Sequence, residues 1–258
     1  MIKRELYMNR IRPFIGGELI KVMTGIRRSG KSVMLELIKE ELAEAGVAPS
    51  QMISINFEDM RYSHLQTATA LHDEIIKRAE GIEGKAYLFF DEIQEVEGWE
   101  KCVNSLRVAL DCDIYITGSN AKLLSGELAT YIGGRYVEFV IYPFSFAEFL
   151  ELYHTIAPSD SIQQCFQKYL LAGGMPYLAN LRYEEEPSRQ YLTDLFNSVQ
   201  LKDIVKRNKI RDIDLLERII AYMTANVGTV FSASSLAKFF KNEQRTVAAE
   251  TILNYVRY

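Results

Sequence analysis

Apolar residues fall along this chain in two different rhythms, and the change comes at Pro143. Before it, short apolar runs alternate with stretches of helical spacing. The runs at 19–24, 52–57, 86–90, 113–118 and 136–141 predict five strands. Between the first two, Met34, Leu35, Leu37, Ile38 and Leu42 recur at helical spacing until Gly46, a plausible stop. Residues 67–80 repeat the pattern with Leu71, Ile75 and Ile76 inward. Trp99, Val103, Leu106 and Leu110 do so over 99–110, and Leu123, Leu124 and Leu128 after Gly118. Strand–helix alternation with strands apolar on both faces predicts a parallel α/β sheet.

After Pro143 only helical spacing remains. Ser145-x-x-Glu148 reads as a capping box opening a helix through Phe149, Leu150 and Tyr153. Ile162, Cys165, Phe166, Tyr169 and Leu170 mark an amphipathic helix. Gly173-Gly174-Met175-Pro176 is a sharp turn. A charged helix after Pro187 directs Tyr191, Leu192, Leu195, Phe196 and Val199 inward. A last unit holds a helix through Leu216, Ile219, Ile220 and Met223, a helix carrying Leu236 and Phe239, and the segment 246–258. That order resembles the core of a winged helix without its wing. The expected domains are a core over 1–144, a helical lid over 145–211, and a winged-helix-like segment over 212–258 that needs a further C-terminal region.

The chemistry starts at the first strand–helix junction. Gly25-Ile26-Arg27-Arg28-Ser29-Gly30-Lys31-Ser32-Val33 contains G-x-x-x-x-G-K-S, a phosphate-binding loop in the strand–loop–helix context that the motif requires. Its glycines let backbone approach an anion, and its N–H groups converge with the helix N-terminus on phosphate. Lys31 is expected on the β- and γ-phosphates of ATP and Ser32 on Mg²⁺. The third strand ends in Phe89-Phe90-Asp91-Glu92, the Walker B pattern. Asp91 is expected to hold Mg²⁺ and Glu92 to act as general base on the attacking water. The 113–118 strand is expected between these two, with Ser119 or Asn120 facing the γ-phosphate, capping the next helix, or both. Arg135 is a candidate arginine finger or γ-phosphate sensor, with a surface salt bridge as the rival. Glu58-Asp59 ends the second strand and is read as solvated rather than as part of the Mg²⁺ site. Tyr7 and Ile11 precede the loop; packing is the favoured reading over contact with a base.

Composition narrows this picture. Among 258 residues, 48% are apolar and 25% charged, as in globular proteins. A net charge of −4 speaks against a protein coated in nucleic acid. Residues 232–258 carry Lys238, Lys241, Arg245 and Arg257 against Glu243 and Glu250, a modest positive balance. Cys102, Cys112 and Cys165 form no C-x-x-C pair, and the three histidines show no ligand spacing. No signal peptide and no membrane-spanning run is visible, which predicts a cytoplasmic protein without membrane contact.

With these motifs in hand, the sequence resembles the prokaryotic AAA-type ATPases of the large archaeal and bacterial family that carries a C-terminal domain of uncertain function. The resemblance rests on the phosphate loop with its paired arginines and on Phe89-Phe90-Asp91-Glu92-Ile93-Gln94. It also rests on residues 116–124, Gly134-Arg135-Tyr136, residues 142–146 and Gly173-Gly174-Met175-Pro176. It implies a P-loop NTPase of the additional-strand, catalytic-glutamate type with sheet order 5-1-4-3-2, a helical lid and a winged helix. Members of the family typically continue into a domain that looks like a nuclease fold. The expected function is an ATPase that switches conformation with bound nucleotide. Homo-oligomers, DNA and a protein partner are the candidate associates. The rival readings are a P-loop small-molecule kinase and a nucleic-acid-binding module that holds ATP as a structural ligand.

Overall fold

The computed structural model describes residues 2–118, 132–199, 204–205, 210–242 and 245–256. They form two compact units, Met1–Arg189 and Gln190–Tyr258.

The first unit is built on a five-stranded parallel sheet. Its strands are β1 (Ile20–Thr24), β2 (Met52–Asn56), β3 (Ala86–Asp91), β4 (Cys112–Thr117) and β5 (Tyr136–Val140), in spatial order β2-β3-β4-β1-β5. Read from the other edge, this is the expected 5-1-4-3-2. β1 and β4 are buried at every position, so their sequences read as continuous apolar runs interrupted by a few satisfied polar side chains. β4 separates β1 from β3, with Lys21 beside Tyr115 and Phe89 beside Tyr115 on its other edge.

Helices α1 (Glu5–Ile11), α2 (Lys31–Glu44), α3 (Ala68–Ala79) and α4 (Trp99–Ala109) cover the sheet. One core gathers Leu71, Ile75, Trp99, Val103 and Leu106 against Ile53, Leu88 and Ile114. The other packs Tyr7, Ile11, Met34 and Ile38 against Met23, Phe89 and Tyr115. Each buried aliphatic side chain contributes about 1.5–3 kcal/mol. Tyr7 and Ile11 are therefore core residues, as the packing reading has it, and Trp99 is buried too. The three cysteines are free and buried. Burial pushes the Cys102 thiol up to about 12 and the Cys112 thiol up to about 11, so neither is a ready nucleophile.

Helices α5 (Phe146–Tyr153) and α6 (Ile162–Ala172) follow the sheet. Both open with capping boxes, Ser145 with Glu148 and Ser161 with Gln164. The second box has Gln at its third position. Aromatic contacts among Phe146, Phe149, Tyr153, Tyr169 and Tyr183 hold this part together. On α6, Cys165 is buried while Ile162, Phe166 and Leu170 are exposed, so its apolar stripe is wider than the surface it covers.

Helix α7 (Glu185–Ser198) runs from the first unit into the second. Its Phe196, expected inward, is 52% exposed. In the second unit α8 (Ile213–Ala225), α9 (Ala233–Asn242) and α10 (Ala249–Val256) close around Leu215, Ile219, Leu236, Phe240 and Ile252. Arg245 reaches back to Asp212 and Asp214 at the start of α8. No helix among the described residues is long and apolar enough to cross a membrane.

Candidate nucleotide site

The loop between β1 and α2 has a shape that side chains would spoil. Gly25 has φ +138°, and a Cβ there would stand 2.2 Å from the Ile141 carbonyl oxygen. Only glycine lets the loop turn against β5's exit at that distance. Gly30 has φ +100° and caps α2 in a left-handed conformation. Arg28, with φ 65°, is a non-glycine residue in the same region. Lys31 then opens α2, buried to 4% exposure. Its Nζ donates to the Gly25 and Ile26 carbonyls, each at 3.1 Å, so the ammonium folds back over the loop.

Ser32, the next residue, stands near enough to Walker B for its hydroxyl to pull the Asp91 carboxyl down. Asp91, 7% exposed, accepts from the Thr117 hydroxyl and from Asn56 Nδ2 at 3.0 Å. Burial pushes its carboxyl above its ordinary value, while the Thr117 and Ser32 hydroxyls pull the other way. A cation would relieve that penalty. A hydroxyl and a carboxylate fit Mg²⁺, which keeps most of its coordination for water and phosphate. No cluster of three His, Cys, Asp or Glu exists among the described residues, so a cage for another metal is not offered there.

Glu92 stands in a left-handed conformation, φ 54°, directly after β3. Its N–H donates to Thr117 Oγ1 at 3.0 Å, and its carboxylate accepts from Gln94. Thr117 thus holds both Walker B residues from the strand that lies between them and the phosphate loop. The sequence alone assigns the polar end of this strand to Ser119 and Asn120 and gives Thr117 no role of its own. A polar residue ending a strand that is otherwise buried was the available signal.

A cavity of about 430 Å³ opens over these groups. Its walls include Arg27, Lys31, Ser32, Glu92 and, from beyond the Gly-Gly-Met-Pro turn, Tyr177 and Asn180. Nothing local in the sequence ties the last two to a loop so far away in the chain. Arg28, Gly30 and Val33 also line the cavity. Glu58 does too, facing Arg27 at 3.7 Å, while Asp59 turns to Arg61. Ser29 is fully buried, and its hydroxyl has no hydrogen-bond partner among the described residues. An orphan hydroxyl inside a glycine-bounded loop fits a loop that takes up an anion.

Arg135 does not join this group. Its carbonyl accepts from the N–H of Ile20, the first residue of β1, and its guanidinium donates to Asn104 at 2.9 Å. β5 runs parallel to β1, so the residue before it lies at the amino end of the sheet, opposite the loop. A γ-phosphate sensor acting within one chain is excluded by that placement. Ser119 and Asn120 lie outside the described residues.

Residues 18–150 match a family model described as an AAA domain, and residues 163–258 match a domain of unknown function. The chain belongs to the AAA-type P-loop ATPases. An uncharacterized protein of Haemophilus influenzae is 38% identical to this ATPase-family chain over 99% of its length, covering 64% of that relative. One of Methanocaldococcus jannaschii is 32% identical over 93% of the chain and 54% of its own length. The chain thus spans about half to two thirds of these curated relatives. Among solved structures, Aeropyrum pernix ORC1 in complex with DNA has 13% identity, with 100% of this chain and 83% of that one covered, at a TM-score of 0.45. AMPPCP-bound DnaA from Aquifex aeolicus has 15% identity, with 99% and 87% covered, at 0.42. These distant likenesses add nothing to the sheet topology described above.

Proposed function

We propose that the chain binds Mg·ATP in the cavity over the phosphate loop and hydrolyses it, the nucleotide acting as a conformational switch. The observation that carries this reading is the cavity that Lys31, Ser32 and Glu92 line together, with the folded-back Lys31 ammonium and the buried Asp91 carboxyl beside it. Two carboxylates, a hydroxyl and an ammonium meet there at the carboxyl end of three parallel strands, where open α/β sheets bind ligands.

The roles follow from chemistry. Lys31 and the loop N–H groups hold the phosphates, with Gly25, Ile26, Arg27, Arg28, Ser29, Gly30 and Val33 shaping the cradle. Lys31 exchanges two carbonyl partners for phosphate oxygens, which are stronger acceptors. Ser32 and Asp91 would hold Mg²⁺, which supplies charge neutralisation on the phosphates. Glu92 orients a water and takes its proton as the water oxygen attacks phosphorus and the bond to the ADP oxygen breaks. Thr117 and Gln94 fix the Glu92 backbone and carboxylate for that task. Ser119 and Asn120 are proposed to read the γ-phosphate. Arg135, exposed at the far end of the sheet, serves as a finger only toward a neighbouring copy of the chain.

The second unit is proposed to face a partner. DNA is the weaker candidate, because Arg245, one of the cations in that segment, is taken up by Asp212 and Asp214. A small-molecule kinase is disfavoured by Glu92, since a kinase needs no activated water.

The test is ATP turnover with measured nucleotide affinity. Glu92→Gln is expected to retain ATP binding and lose turnover by about 10²-fold or more. Lys31→Ala is expected to lose binding. Equal hydrolysis by Glu92→Gln and the parent would refute the assignment of the base.

A further inference from the structure

A buried arginine outside every motif grips the phosphate loop from behind. Arg4 is 3% exposed and adopts a left-handed backbone, φ 47°, at the start of α1. Strain of that kind in a non-glycine residue persists only where surroundings enforce it. Its guanidinium makes four hydrogen bonds to three separate segments. Nη1 donates to the Ser29 carbonyl at 2.9 Å. Nη2 donates to the Tyr142 carbonyl at 2.8 Å. Nε and Nη2 fork onto the Glu148 carboxylate at 2.8 and 3.3 Å. Tyr7 on the same helix accepts from the Tyr142 N–H at 3.1 Å, so the lead-in satisfies both polar groups of that peptide residue.

The grip on Ser29 has a geometric consequence. A trans peptide sets its C=O and the following N–H in opposite directions. With the Ser29 oxygen held on Arg4, the Gly30 N–H is aimed away from Arg4, and Gly30 lines the cavity. Arg4 therefore fixes one of the donors that would meet phosphate.

The same guanidinium is tied to the far wall of that cavity. Glu148 Oε2 accepts from Ser145 N–H at 2.8 Å and from its hydroxyl at 3.0 Å. The neighbouring Phe144 donates its N–H to the Gly174 carbonyl at 2.7 Å, and its own carbonyl accepts from the Tyr169 hydroxyl at 2.9 Å. A Cβ on Gly174 would stand 2.1 Å from the Phe144 oxygen, so two backbones are pressed together there. Two residues later Pro176 begins the short turn that brings Tyr177 and Asn180 to the cavity. Every link is a hydrogen bond, a close backbone contact or a covalent neighbour.

We propose that Arg4 is a positioning residue that couples the phosphate loop at Ser29–Gly30 to the cavity wall at Pro176–Asn180 through Glu148, Ser145 and Phe144. The proposal rests on the ATP-binding reading for its physiological use, but the mechanical link itself does not need nucleotide. Lysine cannot replace Arg4, because the three tetrahedral donors of an ammonium cannot reproduce the four hydrogen bonds of the planar guanidinium, the fork on Glu148 among them. Glu148 keeps its carboxyl below its ordinary value: burial pushes it up, and the Arg4 and Ser145 hydrogen bonds outweigh that.

Amide hydrogen exchange on the full chain decides the matter, comparing the parent with Arg4→Lys, Arg4→Met and Glu148→Gln without nucleotide. Exchange at 25–32 and at 174–180 is expected to quicken about tenfold in each variant, while the distant edge strand β2 stays unchanged. No change at 174–180 would overturn the coupling. A rise of the same size in β2 would also overturn it, by reducing Arg4 to a general stabiliser. A second arm adds a non-hydrolysable ATP analogue with Mg²⁺. It is expected to slow exchange at both segments in the parent, and at 25–32 alone in Arg4→Lys. Protection of 174–180 to the parent's extent in Arg4→Lys would overturn the proposal. A parent that shows no protection anywhere would instead refute ATP binding, and the nucleotide-free arm would still decide the coupling.

Discussion

Two lysine–aspartate sets are buried in the same sheet, one at each end, and they are finished very differently. At the amino end Lys21 is fully buried against Asp113, donates to the Gly17 carbonyl at 3.1 Å and lies over the Tyr115 ring. Asp113 also accepts from Tyr115 at 2.7 Å and from the Gly16 N–H at 2.7 Å. That set is closed, with partners on each charged atom and both side chains fully buried. At the carboxyl end Lys31 rests on loop carbonyls, Asp91 is burdened by its own burial, and the Ser29 hydroxyl has no partner among the described residues. Glu92 and Arg28 carry left-handed backbones beside an open cavity. A closed set stabilises a fold. An open one keeps polar groups for something that arrives later. Residue type alone would not separate the two lysines; their surroundings do.

The largest contrast is expected between the two lysines. Lys21→Met leaves Asp113 buried without its cation and should cost about 3–5 kcal/mol of stability. Chemical denaturation would measure it, with nucleotide affinity of the folded fraction unchanged. Lys31→Ala should do the reverse, losing nucleotide while melting close to the parent. If Lys21→Met removed nucleotide binding from folded protein, the division between the two ends would break. A smaller effect is expected from Thr117→Val, which strips hydrogen bonds from Asp91 and the Glu92 N–H. Its stability loss should be about 1–3 kcal/mol. Turnover should drop more steeply than affinity, because the base is then less well placed. Steady-state kinetics would show this as a lower kcat at similar KM. The smallest effect belongs to Arg135→Ala, an exposed change expected within about 0.5 kcal/mol. Nucleotide affinity in a single chain should not move, since Arg135 stands at the wrong end of the sheet.

The strands and loop were legible because each is written locally. Apolar runs marked β1 through β5 to within a residue or two, and the glycines of the loop announce a backbone that only they permit. The sheet order came from resemblance rather than from periodicity, which does not say which strands are neighbours. What escaped was long-range. Arg4 looks like one of several arginines in a mixed lead-in, and its partners at 29, 142 and 148 are assembled only by the fold. Tyr177 and Asn180 reach the cavity through a turn that reads merely as a turn. Of the roles open to Arg135, a sensor within its own chain conflicts with a point of topology that the sequence already carries. A residue that precedes a parallel strand lies at the amino end of the sheet, and the Walker residues follow theirs. Helix α6 shows another limit: spacing identifies an apolar stripe but not how much of it finds cover.

The central claim is that Lys31, Ser32 and Asp91 surround a magnesium-bound triphosphate. Calorimetric titration with ATP, in Mg²⁺ and in EDTA, of the parent and of Asp91→Asn tests it most directly. The account predicts tight binding by the parent in Mg²⁺, weakened about tenfold or more by EDTA. It also predicts that Asp91→Asn remains folded and binds ATP with an affinity that no longer depends on the metal. Equal affinity of the parent with and without Mg²⁺, or a metal dependence that survives in Asp91→Asn, would contradict it.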